Sequence, residues 1–183
     1  MAEIILETER LILRTRDARD MDDWVRYLNT PAVMRHLGGL QEMHQIEAGF
    51  ARMDALQARY GHSFWIVQRK SDAALLGMCG LKRFDNRYAP MTGEFEIGWR
   101  LREDAWGQGI AREAAAATLE HAFLRLDAPH VIAMTSEANI GSWRLMEKLG
   151  MKRRQDLDFD DPDFPPHENP TIIYRIDRQD WQA

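Results

Sequence analysis

The amino-acid sequence predicts a mixed α/β (α+β) fold, with a mostly antiparallel sheet of about seven strands and about four helices on its two faces. Three strand-like segments follow one another between residues 63 and 101 with only short turns between them, which indicates an antiparallel meander. A strand, an alanine-rich helix and another strand then occupy residues 91–136. Such a crossover makes its two strands parallel, so one parallel pair is expected inside the sheet.

The composition indicates one globular domain spanning residues 1–183. The chain is 45% hydrophobic and 29% charged, and neither an internal repeat nor a linker divides it. It has no apolar run as long as a membrane span, and its acidic N-terminus is unlike a signal peptide. We therefore expect a cytoplasmic protein without a membrane partner. A net charge of −5 argues against nucleic acid as a partner, because that binding depends on neutralising phosphates.

The N-terminal third predicts one strand and two helices. Residues 10–16 alternate between apolar and charged side chains, as in a half-buried strand. Asp17 is a good N-cap for a helix over 18–28, which the Asn-Thr-Pro run at 29–31 stops. A second amphipathic helix is predicted over 41–60, because its apolar residues are three and four positions apart.

The centre of the chain predicts the meander. Its strands are expected at residues 63–68, 74–84 and 91–101, with turns at 72–73 and 85–90.

The C-terminal part predicts two helices and three strands. A helix over 109–125 leads to a strand over 131–136, and a shorter helix follows over 140–149. Two final strands are expected at 151–160 and 170–177, separated by a proline-rich loop.

Neither cysteine nor metal chemistry is indicated. Cys79 is the single cysteine and lies in a strand that looks buried, so an inert core thiol is expected rather than a nucleophile. The six histidines have no metal-ligand spacing, and no metal is expected.

A glycine-rich turn between a strand and a helix is the most informative local pattern. The first N–H groups of a helix have no intrahelical partner, and glycine lets the backbone approach a ligand, so the turn favours a pyrophosphate. It lacks the lysine and hydroxyl of a Walker A loop and the third glycine of the dinucleotide fingerprint. A tight connection without a ligand is the alternative interpretation. The turn consists of Trp106, Gly107, Gln108, Gly109, Ile110, Ala111 and Arg112.

This turn resembles the signature of the GNAT superfamily of acyl-CoA-dependent N-acetyltransferases. The signature is Gln/Arg-x-x-Gly-x-Gly/Ala, and the chain has Trp106-x-x-Gly109-x-Ala111. The glycine and the alanine match, whereas Trp replaces Gln or Arg in the first position.

Three further segments resemble the RimJ/RimL-like branch of that superfamily. Residues 6–14 are similar to its first strand and residues 94–101 to its central strand. Asn139-x-x-Ser142, followed by residues 147–151, is similar to its last helix and turn. The pieces occur in the family's order over most of the chain.

The resemblance implies that acetyl-CoA is the co-substrate and suggests a homodimer. In this family the central parallel strands splay apart and admit the pantetheine arm. The main chains of Trp99 and Leu101 and the side chain of Asn139 are thus expected to contact pantetheine. The turn is expected to bind the pyrophosphate through Trp106, Gly107, Gln108, Gly109, Ile110, Ala111 and Arg112.

The reaction implied is direct attack of a primary amine on the acetyl thioester, for which a base must deprotonate the ammonium. The resemblance points to Glu96 as that base. Glu94 is two residues away, so it is expected to share the strand face and to push one of the two pKa values upward by repulsion. Water as the base and two solvated carboxylates without a catalytic role are the alternatives.

Different members of the superfamily use different residues to assist departure of the thiolate. Many members use a tyrosine in the last helix as the acid, but this chain has Met146 there. The RimL-like pattern offers Ser142 instead, as a hydrogen-bond donor to sulfur. Asn139 and Ser142 would equally suit the start of a helix without any ligand.

The sequence therefore predicts an N-acetyltransferase that moves an acetyl group from acetyl-CoA to a primary amine, either a protein N-terminus or a small molecule. A non-catalytic CoA-binding sensor and a structural domain of the same fold are the alternatives, motivated by the missing tyrosine and by Trp106.

Overall fold

A computed structural model describes residues 2–182 and contains, within them, an eight-stranded sheet. The strands lie in the order β1-β2-β3-β4-β5-β6-β8-β7. Their bounds are Ile4–Glu7 (β1), Leu11–Arg14 (β2), Phe64–Arg69 (β3), Leu75–Arg83 (β4), Phe95–Leu101 (β5), His130–Ser136 (β6), Lys152–Arg153 (β7) and Thr171–Asp177 (β8).

The sheet is antiparallel except at its centre, where β5 and β6 run parallel. These two strands are joined by a single residue pair, Glu96 with Ile132. Beyond Ile132, β6 continues to pair with β8 as far as Ser136, while β5 continues to pair with β4. The two central strands therefore diverge towards their carboxyl ends, and the predicted splay is confirmed.

Helices cover both faces of the sheet, as predicted. The first, α1, is Asp20–Asp23 and continues as a π-helical turn, Trp24–Leu28. The others are α2 (Met43–Tyr60), α3 (Ile110–Leu124) and α4 (Ile140–Lys148).

The sheet separates its largest hydrophobic cluster from a smaller one on the opposite face. On one face, α3 packs through residues such as Leu119 against Leu81 and Ile97 of the sheet. On the other face, Trp24 and Phe50 of the first two helices pack against the remaining side of the sheet, with their rings edge to face at 4.9 Å. Alternate residues of one strand thus meet different layers, because side chains point to opposite faces in turn.

The two ends of the sheet differ from the prediction. The chain forms an additional strand, β1, and β7 covers two residues instead of the expected 151–160. Asp158 explains the short strand, because its carboxylate accepts the N–H of Ile173 at 2.9 Å and so takes the place of a backbone partner.

The first helix also begins later than predicted. It starts at Asp20 rather than at residue 18, and Asp17 does not cap it. The Asp17 carboxylate instead accepts the backbone N–H of Arg19 at 3.1 Å. No helix in residues 2–182 is both long enough and apolar enough to cross a membrane.

Candidate active site

A cavity of about 930 Å³ opens where the carboxyl ends of β5 and β6 diverge. It is lined by the end of β5, the glycine-rich turn, the start of α4 and the segment 32–37. Most of the residues selected from the sequence line it together: Trp99, Leu101, Trp106, Gly107, Gly109, Ile110, Ala111, Arg112, Asn139 and Ser142. The cavity lining does not include Gln108, Glu94 or Glu96.

The glycine-rich turn has the backbone shape that binds anions. Gly107 and Gly109 have φ angles of 72° and 77°, in the left-handed region that favours glycine. Gly109 is the N-cap of α3, and it brings no side chain to accept the N–H groups of the first helical turn. Those N–H groups, from Ile110 onward, carry the positive end of the helix dipole at the cavity.

Arg10, from the β1–β2 connection, fixes this turn from outside. Its guanidinium donates to the Gln108 carbonyl at 3.0 Å and to Glu113 Oε2 at 2.6 Å. Glu113 lies in the first turn of α3 and also accepts the Thr8 hydroxyl at 2.5 Å. No local sequence pattern points to Arg10, because 98 residues separate it from Gln108.

Trp106 occupies the position where the signature has Gln or Arg, and its side chain makes a specific hydrogen bond. Its indole N–H donates to the Leu101 carbonyl at 2.9 Å. That carbonyl is at the end of β5, where the strand has left β6. The half-exposed indole therefore supplies a hydrogen-bond donor to the end of β5 and forms part of the cavity wall.

Asn139 and Ser142 lie at the start of α4 and face the cavity. Asn139 occupies the N-cap position, but its side chain makes no capping hydrogen bond, so the capping role considered from the sequence is wrong. Met146, where other members have tyrosine, is 1% exposed and packs in the core.

Glu96 is buried beside a single cation. Its side chain is 6% exposed, and Lys82 Nζ lies 3.1 Å from its Oε2. The contact is an ion pair without good hydrogen-bond geometry. Burial raises the pKa of the Glu96 carboxyl above its ordinary value, and Lys82 opposes that rise.

Glu94 has a different environment from the one predicted. It precedes β5, and its Oε2 lies 2.9 Å from His130 Nε2. Repulsion from Glu94 is not among the causes that raise the Glu96 pKa, so that part of the prediction is wrong. The predicted rise of the Glu96 pKa does occur, but burial of the side chain causes it.

A buried carboxylate, absent from the sequence prediction, contacts a residue that lines the cavity. Glu168 is 5% exposed and accepts hydrogen bonds from the Ser136 hydroxyl and from His36 Nδ1, the latter at 2.8 Å. Burial alone would raise the pKa of Glu168, but these two bonds and the charge interactions with His36 and His167 together outweigh it and leave that pKa below its ordinary value. His36, which lines the cavity, is thereby held in one orientation.

Comparison with known proteins assigns the family. A family model described as an acetyltransferase (GNAT) domain matches residues 10–152. The chain belongs to the GNAT acetyltransferase family. It is 31% identical to the uncharacterized protein YkkB of Bacillus subtilis (strain 168), over 82% of this chain and 86% of that protein.

Solved structures agree with this assignment. An acetyltransferase from Agrobacterium tumefaciens str. C58 has a TM-score of 0.76 at 26% identity, over 93% of this chain and 92% of that one. RimL, a ribosomal L7/L12 alpha-N-protein acetyltransferase, shares the fold with a TM-score of 0.75 at 16% identity, over 97% and 95% of the two chains. The chain is thus an acyltransferase of a family that uses acetyl-CoA.

The GNAT cavity carries cations at its rim. Arg112, Lys148 and Arg35 all line it. The other basic residues near Lys148 are engaged elsewhere: Lys152 pairs with Asp180, Arg153 with Asp158, and Arg154 with Asp156. Arg112, Lys148 and Arg35 are therefore exposed cations available to a ligand that bears phosphate groups.

Cys79 lies outside this GNAT cavity. The thiol is fully buried, and burial raises its pKa to about 12, with Thr118 Oγ1 at 3.6 Å from the sulfur. Within residues 2–182, no group of three or more His, Cys, Asp or Glu side chains is arranged to hold a metal ion.

Proposed function

We propose that this chain transfers an acetyl group from acetyl-CoA to a primary amine by direct attack. The observation that carries the proposal is the left-handed pair Gly107 and Gly109 at the mouth of the divergent strands. The turn offers its N–H groups to a pyrophosphate, and the strand divergence offers backbone groups to an amide-bearing arm.

The pantetheine arm would lie along the diverging strands, because their unpaired backbone groups can bind its amides. Trp99 and Leu101 line the cavity at the divergence, and the Asn139 side chain has no capping bond to break. The outer phosphates would then meet Arg112 and Lys148. The acetyl group would be delivered towards the inner end, near the Glu96–Ile132 pair.

Glu96 is the proposed base. The incoming ammonium must lose a proton before its nitrogen can attack the thioester carbon. The raised pKa of Glu96 suits it to accept that proton. Because Glu96 does not line the cavity, the proton passes through a water molecule.

Ser142 is the proposed donor to sulfur. As the new C–N bond forms, the C–S bond breaks and the electron pair stays on the sulfur of CoA. A simple thiol has a pKa near 8.5, so its thiolate leaves with little acid assistance. A hydroxyl at Ser142 that hydrogen-bonds the sulfur is then sufficient.

Release of CoA thiol with a panel of amines tests the proposal. The panel contains peptides, polyamines, amino sugars and amino acids, and turnover with any one of them is expected. Binding of acetyl-CoA without thiol release across the whole panel would favour the second candidate, a CoA sensor. That candidate is supported by the exclusion of Glu96 from the cavity lining and by Met146 in place of a tyrosine.

Gly109→Glu tests the turn itself. It adds bulk and negative charge to the turn proposed to bind the pyrophosphate, where a Cβ would lie 3.5 Å from Arg10 Nη2, so calorimetry should detect no binding of acetyl-CoA. Gly61→Glu is the matched control, because Gly61 also has a positive φ, 71°, but caps α2 away from the cavity. If Gly109→Glu binds normally, the turn does not hold the pyrophosphate.

A further inference from the structure

Arg100 brings a positive charge to the cavity without a carboxylate partner. It lies on β5 next to Trp99 and Leu101 and lines the cavity with them. Within residues 2–182, no Asp or Glu forms an ion pair with it, and its Nε is buried without a hydrogen-bond acceptor. A buried charge is normally paired, so this guanidinium is incompletely compensated.

The neighbours that Arg100 does have are weak partners. Its Nη1 lies 2.9 Å from Met34 Sδ and its Nη2 lies 3.9 Å from Met78 Sδ. Thioether sulfur is a weak acceptor. The Trp24 ring lies 4.5 Å from the guanidinium carbon and contributes a cation–π contact. Burial lowers the pKa of Arg100 to about 10, as expected for a cation with little compensation.

Two other partly buried arginines, Arg14 and Arg153, have carboxylate partners. Arg14 binds Asp20 through both terminal nitrogens, at 2.8 and 2.7 Å. Arg153 binds Asp158 at 2.8 Å. Arg100 differs from them in opening onto the cavity.

Arg100 also lies on the strand face that bears Glu96. Even-numbered residues of β5 point to one face and odd-numbered residues to the other. Trp99 and Leu101 pack with the cluster under α3, whereas Arg100 contacts Trp24 of the opposite layer. Glu96 and Arg100 are four residues apart, about 13 Å along the strand. An acceptor whose amine lies in the part of the cavity nearest Glu96 would extend towards Arg100.

We propose that Arg100 binds a carboxylate of the acceptor, so that the acceptor is an amine with a carboxylate several bonds away, as in an ω-amino acid or a short peptide. The inference rests on the proposed acetyl transfer and names its substrate class. A guanidinium matches a planar carboxylate in geometry and charge. A polyamine would instead bring a second cation against a buried cation, which disfavours it.

Matched amines test this preference. The substrates are ω-amino acids from glycine to 6-aminohexanoate, together with diglycine, each compared with its own carboxamide in the thiol-release assay. The wild-type protein should give at least one acid a kcat/KM more than tenfold above that of its amide. Arg100→Gln should reduce that ratio to about one. Arg87→Gln, at a surface pair with Asp163, should keep the wild-type ratio.

A binding measurement separates this proposal from acetyl transfer. Calorimetry with CoA present compares each N-acetyl ω-amino acid with its N-acetyl carboxamide. Selective binding of the acid that Arg100→Gln abolishes supports the anion site, even if no amine is turned over. Turnover with equal values for every acid and amide overturns the anion site and leaves the transferase. Acid selectivity that survives Arg100→Gln, or a loss confined to acetyl-CoA affinity, also overturns it.

A second variant, Arg100→Lys, distinguishes loss of the acceptor contact from misfolding. Lysine keeps the charge but not the fork, so a reduced preference for the acid should remain. If both variants melt at the wild-type temperature and both keep the full preference, Arg100 does not bind the acceptor.

Discussion

Glu96 combines burial with a single cationic neighbour, and its pKa consequently lies above the ordinary value for glutamate. Glu96→Gln removes the proposed base while keeping the side-chain shape. We expect kcat to fall by about 10²–10⁴ and the affinity for acetyl-CoA to stay the same. Steady-state kinetics and calorimetry measure the two quantities. An unchanged kcat would assign proton removal to water alone.

The pH profile provides a second test of the same residue. A base works in its deprotonated form, so activity falls as pH drops through the pKa of Glu96. Because that pKa is raised, the fall should begin at a higher pH than the value near 4.3 of an exposed glutamate would give. In Glu96→Gln this acid-side fall should disappear. A profile identical in the two proteins would argue against titration of Glu96.

Cys79 should be unreactive in the folded protein. With a pKa of about 12, roughly one thiol in ten thousand is ionised at pH 8, and the sulfur is also fully buried. Titration with a thiol reagent should therefore detect no protein thiol until denaturant is added, and one afterwards. Rapid labelling of the native protein would contradict the buried position in β4. The result also shows that thiol-release assays start without a protein background.

The residues of the candidate site differ in how far the sequence predicts them. The glycine-rich turn apart from Gln108, together with Asn139 and Ser142, lines one cavity, and each belongs to a short contiguous pattern at a strand or helix end. His36 and Glu168 were missed, because 132 residues separate them and neither has a local signal. The cause of the Glu96 pKa shift was also missed, since burial depends on the layer above the strand rather than on its neighbours in sequence.

The junction between the β1–β2 connection and α3 controls the shape of the pyrophosphate-binding turn. Arg10→Ala removes the bonds to Gln108 and Glu113. We expect the dissociation constant for acetyl-CoA to rise several-fold, because the turn would populate its binding conformation less often. Stability should change by about 1 kcal/mol or less, since the Arg10 side chain is 46% exposed.

Arg87→Ala is the control for this junction, because Arg87 forms an exposed pair remote from the cavity. It should bind acetyl-CoA as the wild-type protein does in calorimetry. Equal affinities for Arg10→Ala and the wild type would mean that the turn keeps its shape without the clamp.

Secondary-structure elements were predictable where local pattern and tertiary packing agree. The helix α3 runs from Ile110 to Leu124 against a prediction of 109–125, because a glycine start and an alanine-rich sequence already favour it. A strand is expected over residues 151–160, yet β7 stops at Arg153. The Asp158 side chain replaces the backbone pairing there, and such a substitution depends on the position of β8.

At the scale of the whole molecule, the sheet and α3 share one cluster and should unfold together. Leu119→Ala removes a side chain that is 1% exposed in that cluster, so the free energy of unfolding should fall by about 2–5 kcal/mol. Leu124→Ala makes the same change on the same helix at 63% exposure, and its effect should stay within about 0.5 kcal/mol. Urea unfolding followed by circular dichroism measures both. Similar losses for the two variants would contradict the orientation of α3.

Because β5 and β6 share a single residue pair, hydrogen exchange of their backbone amides can show whether the acyl donor is bound. Amides on the facing edges of these strands, beyond Glu96 and Ile132, have no neighbouring strand across the divergence. They should take up deuterium quickly in the free protein and more slowly once the acyl donor lies between them. Isotope exchange at this seam would therefore follow loading of the donor directly, even before any acceptor has been identified.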